Sequence, residues 1–137
     1  MTRSKQPSFN MLAVALGVAV LGLASGAQAQ QADKIRIGFT TDMSSLYSDI
    51  DGKNGAIAIQ MAIDDFGGKV LGKPVELLSA DHQNKADIAA SKAREWFDTQ
   101  GVVAIIGGTN SGTALASAKV AEEKKKLYIQ ILSLIHI

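Results

Sequence analysis

Apolar and polar side chains alternate over residues 34–40, Lys-Ile-Arg-Ile-Gly-Phe-Thr, and a period of two with β-branched and aromatic content predicts a first strand. After a Ser-, Asp- and Gly-rich loop over residues 42–53, the period lengthens. Ile59, Ile63 and Phe66, with Ala56 and Ala62, fall at helical spacings over 54–66, and Gly67-Gly68 is placed to end that helix. The alternation of periods then repeats. Residues 75–80, entered past Pro74, read as a second strand, and 81–85 as a polar loop. Asn84, with Asp87 three residues on, reads as the cap of a second helix whose inner face carries Ile88, Ala89, Ala93, Trp96 and Phe97.

The run 102–106 is apolar without interruption between Gly101 and Gly107-Gly108, which predicts a strand covered on both faces. A turn over 107–111 leads to a third helix from Gly112 to about Lys125, with Ala114, Leu115, Ala118, Val120 and Ala121 as candidate core. Residues 127–131 complete a fourth strand. Strand and helix alternate with no hairpin signal between them, so the expected fold class is α/β, a parallel sheet with flanking helices on both faces. About a hundred residues suffice for a small hydrophobic core.

The amino-terminal segment obeys neither period. Arg3 and Lys5 precede an uncharged apolar run over 11–23, and small residues close on Ala27-Gln28-Ala29, the layout of a cleaved signal peptide. The run has 13 residues, where a spanning helix needs about 20. Residues 1–29 are therefore expected to be a leader, with a mature chain from Gln30 in a periplasmic space. The chain has no cysteine, which excludes a disulfide framework and a lipidated cleavage site. Removing Arg3 and Lys5 leaves 12 of the 14 basic side chains against 13 acidic ones, so the formal charge moves from +1 to −1. That balance, with Lys124-Lys125-Lys126 as a single cluster that reads as the solvated end of a helix, gives no reason to expect nucleic acid as a partner. At the other end, residues 132–137, Leu-Ser-Leu-Ile-His-Ile, resemble a translated sequencing adapter and are expected to be non-native.

In an open parallel sheet, ligands gather beyond the carboxyl ends of the strands, among loop amides and helix amino termini. This selects the loops 42–53, 81–85 and 107–111. The last runs Gly107-Gly108-Thr109-Asn110-Ser111-Gly112 and can offer backbone amides, two hydroxyls and a helix dipole to a carboxylate. The same residues can equally do no more than cap the helix. The first loop offers Ser44, Ser45 and the aromatic Tyr47, and the second offers Asp81-His82-Gln83-Asn84. A metal is not expected, because only Asp81 and His82 lie near each other and His136 falls in the suspect tail. No cofactor is expected and an enzyme is not indicated. The chain has no G-x-S-x-G elbow and no Walker lysine, and Ser111 has no evident base.

Five stretches carry a family resemblance: Ile35-Arg-Ile-Gly-Phe-Thr-Thr-Asp-Met-Ser, Gln60-Met-Ala-Ile-Asp-Asp-Phe-Gly-Gly, Gly72-Lys-Pro-Val-Glu-Leu, Ala80-Asp-His-Gln-Asn-Lys-Ala-Asp and Asn110-Ser-Gly. As an ordered set they resemble the periplasmic substrate-binding proteins of branched-chain amino-acid ABC transporters. The resemblance implies a type I periplasmic binding protein fold, of which residues 30–131 would form part of the amino-terminal lobe. It implies capture of an amino acid or a related small carboxylate, aromatic acids included, between two lobes, and delivery to an ABC permease in the inner membrane by a protein that is monomeric when full length. Ser111 and its neighbouring amides match the position that holds the ligand carboxylate, and Tyr47 the first-loop aromatic. The expected ligand-binding set is Ser44, Tyr47, His82, Thr109, Asn110, Ser111 and Gly112. Where the family usually has Ser-Gly-Pro before that aromatic, this chain has Ser44-Ser45-Leu46. The alternative is the ligand-sensing domain of an exported receptor with the same lobe. Residues 30–131 alone, lacking a second lobe, are expected to bind nothing measurable.

Overall fold

The computed structural model describes residues 34–132. The expected leader, residues 1–29, and all but the first residue of the expected tail, 132–137, lie outside them. In chain order the elements are β1 (Ile35–Thr41), α1 (Gly52–Asp65), β2 (Lys69–Val70), β3 (Lys73–Asp81), α2 (Ala86–Thr99), β4 (Val102–Gly107), α3 (Ser111–Glu123) and β5 (Leu127–Gln130). They form one sheet in the order β2-β3-β1-β4-β5. β1 pairs in parallel with β3 and β4, and β4 with β5.

One strand corrects the expectation of an uninterrupted parallel alternation. β2 pairs antiparallel with β3 through Lys69↔Pro74 and Val70↔Lys73. The two residues between them, Leu71 and Gly72, both have positive φ, 53° and 76°. A two-residue hairpin turn needs that geometry, and leucine at its first position hides the usual Asn-Gly signal. Pro74 sits in the register of this two-residue edge pairing, where a missing N–H costs little.

α1 covers one face of the sheet, and α2 with α3 the other. The α2–α3 face holds the main core: Ala93, Trp96 and Phe97 from α2, Val120 and Ala121 from α3, and Val102 and Ile105 from β4. Gly38 of β1 makes room for it, because a Cβ there would lie 2.5 Å from two atoms of the Trp96 ring. A register shift opposite Arg36 and Ile37 lets Val102 and Ile105 share this side and leaves Val103 partly exposed. β4 is therefore not sealed along its whole length as its unbroken apolar run suggests. In α3, Leu115 is 60% exposed, while Thr113 and Ser117 are buried beside Ala114. The small residues around Leu115 bring the helix close to the sheet and turn the leucine outward.

On the opposite face α1 is the sole helix among the described residues. Ile59 and Ile63 bound an apolar cleft of about 360 Å³ against Ile37 and Ile106, with Phe66 at its rim. Leu127 and Ile129, in register with Ala104 and Ile106, extend the same face and are 57% and 42% exposed. Of the expected α1 core, Phe66 is mostly exposed. The helix ends where Gly67 and Gly68, both at positive φ, donate to the Asp64 and Ile63 carbonyls.

Candidate ligand-binding site

The carboxyl ends of β1, β3 and β4 lie side by side, so the three loops that leave them meet at one edge of the sheet. Three aspartates tie them together. Asp42, directly after β1, is fully buried and accepts from the Ser45 amide (2.8 Å), the Ser45 hydroxyl (2.6 Å), the Tyr47 amide (2.9 Å) and, at longer range, the Ser44 amide (3.3 Å). It folds the first loop around itself. Asp81, at the end of β3, accepts from the Met43 amide (3.0 Å), the Ser44 hydroxyl (2.5 Å) and the Gln83 amide (2.7 Å), which joins the first loop to the second. Asp51 caps α1 through the Gly52 amide (2.9 Å) and accepts from the hydroxyls of Thr41 (2.5 Å) and Thr109 (2.7 and 2.8 Å), which joins the first loop to the third.

Burial works against charge at Asp42 and Asp81. The hydrogen bonds from Ser45, Tyr47 and Ser44 at the first, and from Ser44, Met43 and Gln83 at the second, outweigh it and hold both carboxyls below their ordinary range. Both are therefore ionised acceptors at neutral pH. From the sequence Asp81 is weighed only as a polar or metal-binding group of the second loop, and Asp42 and Asp51 are given no role. The available signal was an aspartate directly after β1, another closing β3, and a third before a helix-opening glycine.

Each expected ligand-binding residue can now be placed. The Ser44 hydroxyl is turned toward Asp81, and the Thr109 hydroxyl toward Asp51. Asn110 caps α3, its side chain accepting from the amides of Gly112 (2.6 Å) and Thr113 (3.2 Å). The capping role open at Asn110 is thus realised, and the Gly112 amide is already engaged. Tyr47 is half-buried with its amide on Asp42, and Ser111 is exposed at the first position of α3.

His82 is 2% exposed, and its Nδ1 accepts from the Asn84 amide (3.1 Å). That bond assigns the proton to Nε2, which is buried without a partner. Asn84 does not cap α2. It has a positive φ of 56°, and the helix begins after Lys85 with no side-chain cap. Gly108, at φ 114°, lies beneath Gln130 of β5, whose Nε2 donates to the Gly108 carbonyl (2.8 Å). A Cβ at Gly108 would fall 2.1 Å from the end of that side chain and displace it, and the positive φ favours glycine there in any case.

Among the described residues no group of three or more His, Cys, Asp or Glu side chains is arranged to hold a metal, and no helix is long and apolar enough to cross a membrane.

These groups set a two-stage pH response. Burial pushes His82 below its ordinary range despite the nearby charges of Asp42, Asp81 and Asp51. A His that stays neutral when folded withdraws stability as pH falls from its unfolded value near 6.5 toward its lower folded value. Protonating Nδ1 would also break its bond with Asn84. The carboxylates act in a lower window: Asp42, Asp81 and Glu76, the last held down by the Arg36 guanidinium, stabilise the fold above their unfolded pKa near 4 and lose that contribution below it. Urea midpoints should therefore fall between pH 7 and 5.5 and again below pH 4. His82→Gln should abolish the first step alone.

Comparison with known proteins gives the family. Residues 34–136 match the family model described as periplasmic binding protein. A periplasmic binding protein from Burkholderia mallei is 66% identical over 73% of this chain and 27% of its own, with a TM-score of 0.72. A branched-chain amino-acid ABC transporter periplasmic ligand-binding protein from Burkholderia xenovorans LB400 is 55% identical, over 69% and 25%, at a TM-score of 0.67. A leucine-binding protein from Thermotoga maritima MSB8 is 32% identical, over 70% and 27%, at 0.64. No curated protein sequence matches the chain. The chain thus spans about a quarter of the length of these structures, whose names describe solute-binding proteins. A mostly parallel α/β sheet with its loops tied at the strand ends, a family model matched across 34–136 and 66% identity to a solved member lead to one conclusion: the chain belongs to the periplasmic binding protein family.

Proposed function

We propose that this chain supplies ligand-facing loops of an exported solute-binding component of an ABC importer, and that its ligand is a branched-chain amino acid or a related small carboxylate. The observation that carries the reading is the gathering of three loops at one sheet edge, held by Asp42, Asp51 and Asp81, with Ser111 exposed at the start of α3. There the hydroxyl and the positive helix end can meet a carboxylate. The Asn110 side chain already takes the Gly112 and Thr113 amides, so the contact falls to Ser111 and the dipole rather than to a ring of free amides. Tyr47, in the first loop, supplies an aromatic surface for the ligand.

Binding requires a second lobe that closes over the ligand, and the closed form docks on a membrane permease; nothing is done to the ligand chemically. Export follows from the leader read in residues 1–29, and the working unit is a monomer. The names of relatives support two ligand chemistries. One relative is a leucine-binding protein, and a solute-binding protein from Rhodopseudomonas palustris BisB5, 27% identical at a TM-score of 0.65, is solved with 3,4-dihydroxybenzoic acid.

The test is calorimetry on the full-length two-lobed protein with L-leucine, L-isoleucine, L-valine and 3,4-dihydroxybenzoate. At least one should bind with a micromolar or tighter dissociation constant, and Ser111→Ala should weaken it by about tenfold, as expected for one hydrogen bond to a charged group. Failure of all four to bind overturns the reading.

A further inference from the structure

The Asp51 carboxylate sits at a three-way junction. Thr41 ends β1, Thr109 lies in the turn between β4 and α3, and Gly52 opens α1; all three donate to Asp51. The two threonine hydroxyls also lie 2.8 Å from each other. Two hydroxyl protons cannot fill all four of these oxygen–oxygen contacts, and a carboxylate, which only accepts, resolves the conflict by taking both. Thr109 is separated from Asp51 by 58 positions in sequence and is the residue next to Asn110. No other side-chain bond described here joins the first loop to this turn.

We propose that Asp51 is a positioning residue for ligand capture: by holding the Thr109 hydroxyl against the end of β1, it sets where the turn presents Asn110 and Ser111. It rests on the reading that this turn faces the ligand. Asp51 touches no ligand itself and acts through Thr109. Its charge matters because a hydrogen bond to a carboxylate is about twice as strong as one between neutral groups. On that side the Thr41 hydroxyl is the other side-chain contact of the turn among the described residues, since Gly108 has no side chain and Asn110 is occupied with its own helix.

The experiment compares Thr109→Ser, Thr109→Val, Asp51→Asn and the Thr109→Val/Asp51→Asn double variant in the full-length protein, titrated with L-leucine and 3,4-dihydroxybenzoate. Thr109→Ser keeps the hydroxyl and should bind within about twofold of the parent. Thr109→Val and Asp51→Asn should each weaken binding about tenfold or more, and the double variant no further than the worse single one, because both remove the same link. Additive losses, or single variants within twofold of the parent, overturn the proposal, whatever happens to melting temperature. If Asp51→Asn does not fold, the valine–serine contrast at Thr109 decides.

If neither probe binds the parent protein, amide exchange decides this proposal, and the functional reading stands or falls separately on the four ligands named above. Protection of Gly112 and Thr113, whose amides are held by Asn110, should fall about tenfold in Thr109→Val and not in Thr109→Ser. Unchanged protection overturns the proposal.

Discussion

Trp96→Ala should cost about 3–5 kcal/mol, enough to unfold a domain of this size or bring it to the edge of unfolding. The indole is 3% exposed in the core built by α2, α3 and β4. Its ring lies over the backbone of Gly38, where a Cβ would come within 2.5 Å. Removing the ring therefore leaves a space with no side chain on its β1 side that could relax into it. Cavity cost depends on how well a site collapses, so the loss should fall at the upper end of the range. Urea denaturation at neutral pH is the measurement, and a loss under about 1.5 kcal/mol would show that the core repacks around the gap. A partial rescue sharpens it, since Gly38→Ala, which clashes with the indole in the parent, should be tolerated or favourable once the ring is gone.

The second large effect is expected at Asp42. Asp42→Ala removes the acceptor for the amides of Ser44, Ser45 and Tyr47 and for the Ser45 hydroxyl together. Each bond to a charged acceptor contributes about 1.5–3 kcal/mol, but Ser44 and Ser45 are exposed and water replaces part of what is lost. A net destabilisation of about 3 kcal/mol follows. Asp42→Asn keeps one accepting oxygen and turns an NH2 toward donors, so it should lose nearly as much. In the full-length protein both variants should also abolish detectable binding, because the loop carrying Tyr47 takes its shape from this carboxylate. An Asp42→Ala variant within 0.5 kcal/mol of the parent by urea titration would mean that the loop is held from elsewhere.

The alternation of elements was legible because each has a strong local period. β1 alternates, α2 places Ala89, Ala93, Trp96 and Phe97 on one buried face, and Gly67-Gly68 stops α1. Errors arose where local and tertiary signals part. Leu71-Gly72 makes a hairpin turn without the usual residue at its first position. Leu115 fits the α3 pattern but faces outward, because the close approach of that helix needs small residues on the inside.

The site divided in the same way. Its three loops could be located from strand ends alone. Ser44, Thr109 and Asn110 were chosen as ligand donors by residue type, and the fold turns their polar groups toward Asp81, Asp51 and the amides of α3. That exchange was invisible in one dimension, because the partners lie 37 and 58 positions apart in the first two cases.

Periodicity and chain punctuation were enough to set the class of fold, the alternation of strand and helix and the candidate loops at the strand ends, since these depend on contacts within a few residues. Which polar side chains remain for a ligand and which are consumed in holding the loops was decided only by the packed molecule. Parallel pairing brings distant strand ends to one edge, and there the buried carboxylate of Asp42 and the half-buried ones of Asp51 and Asp81 take the nearest donors, because a desolvated charge left unpaired is costly.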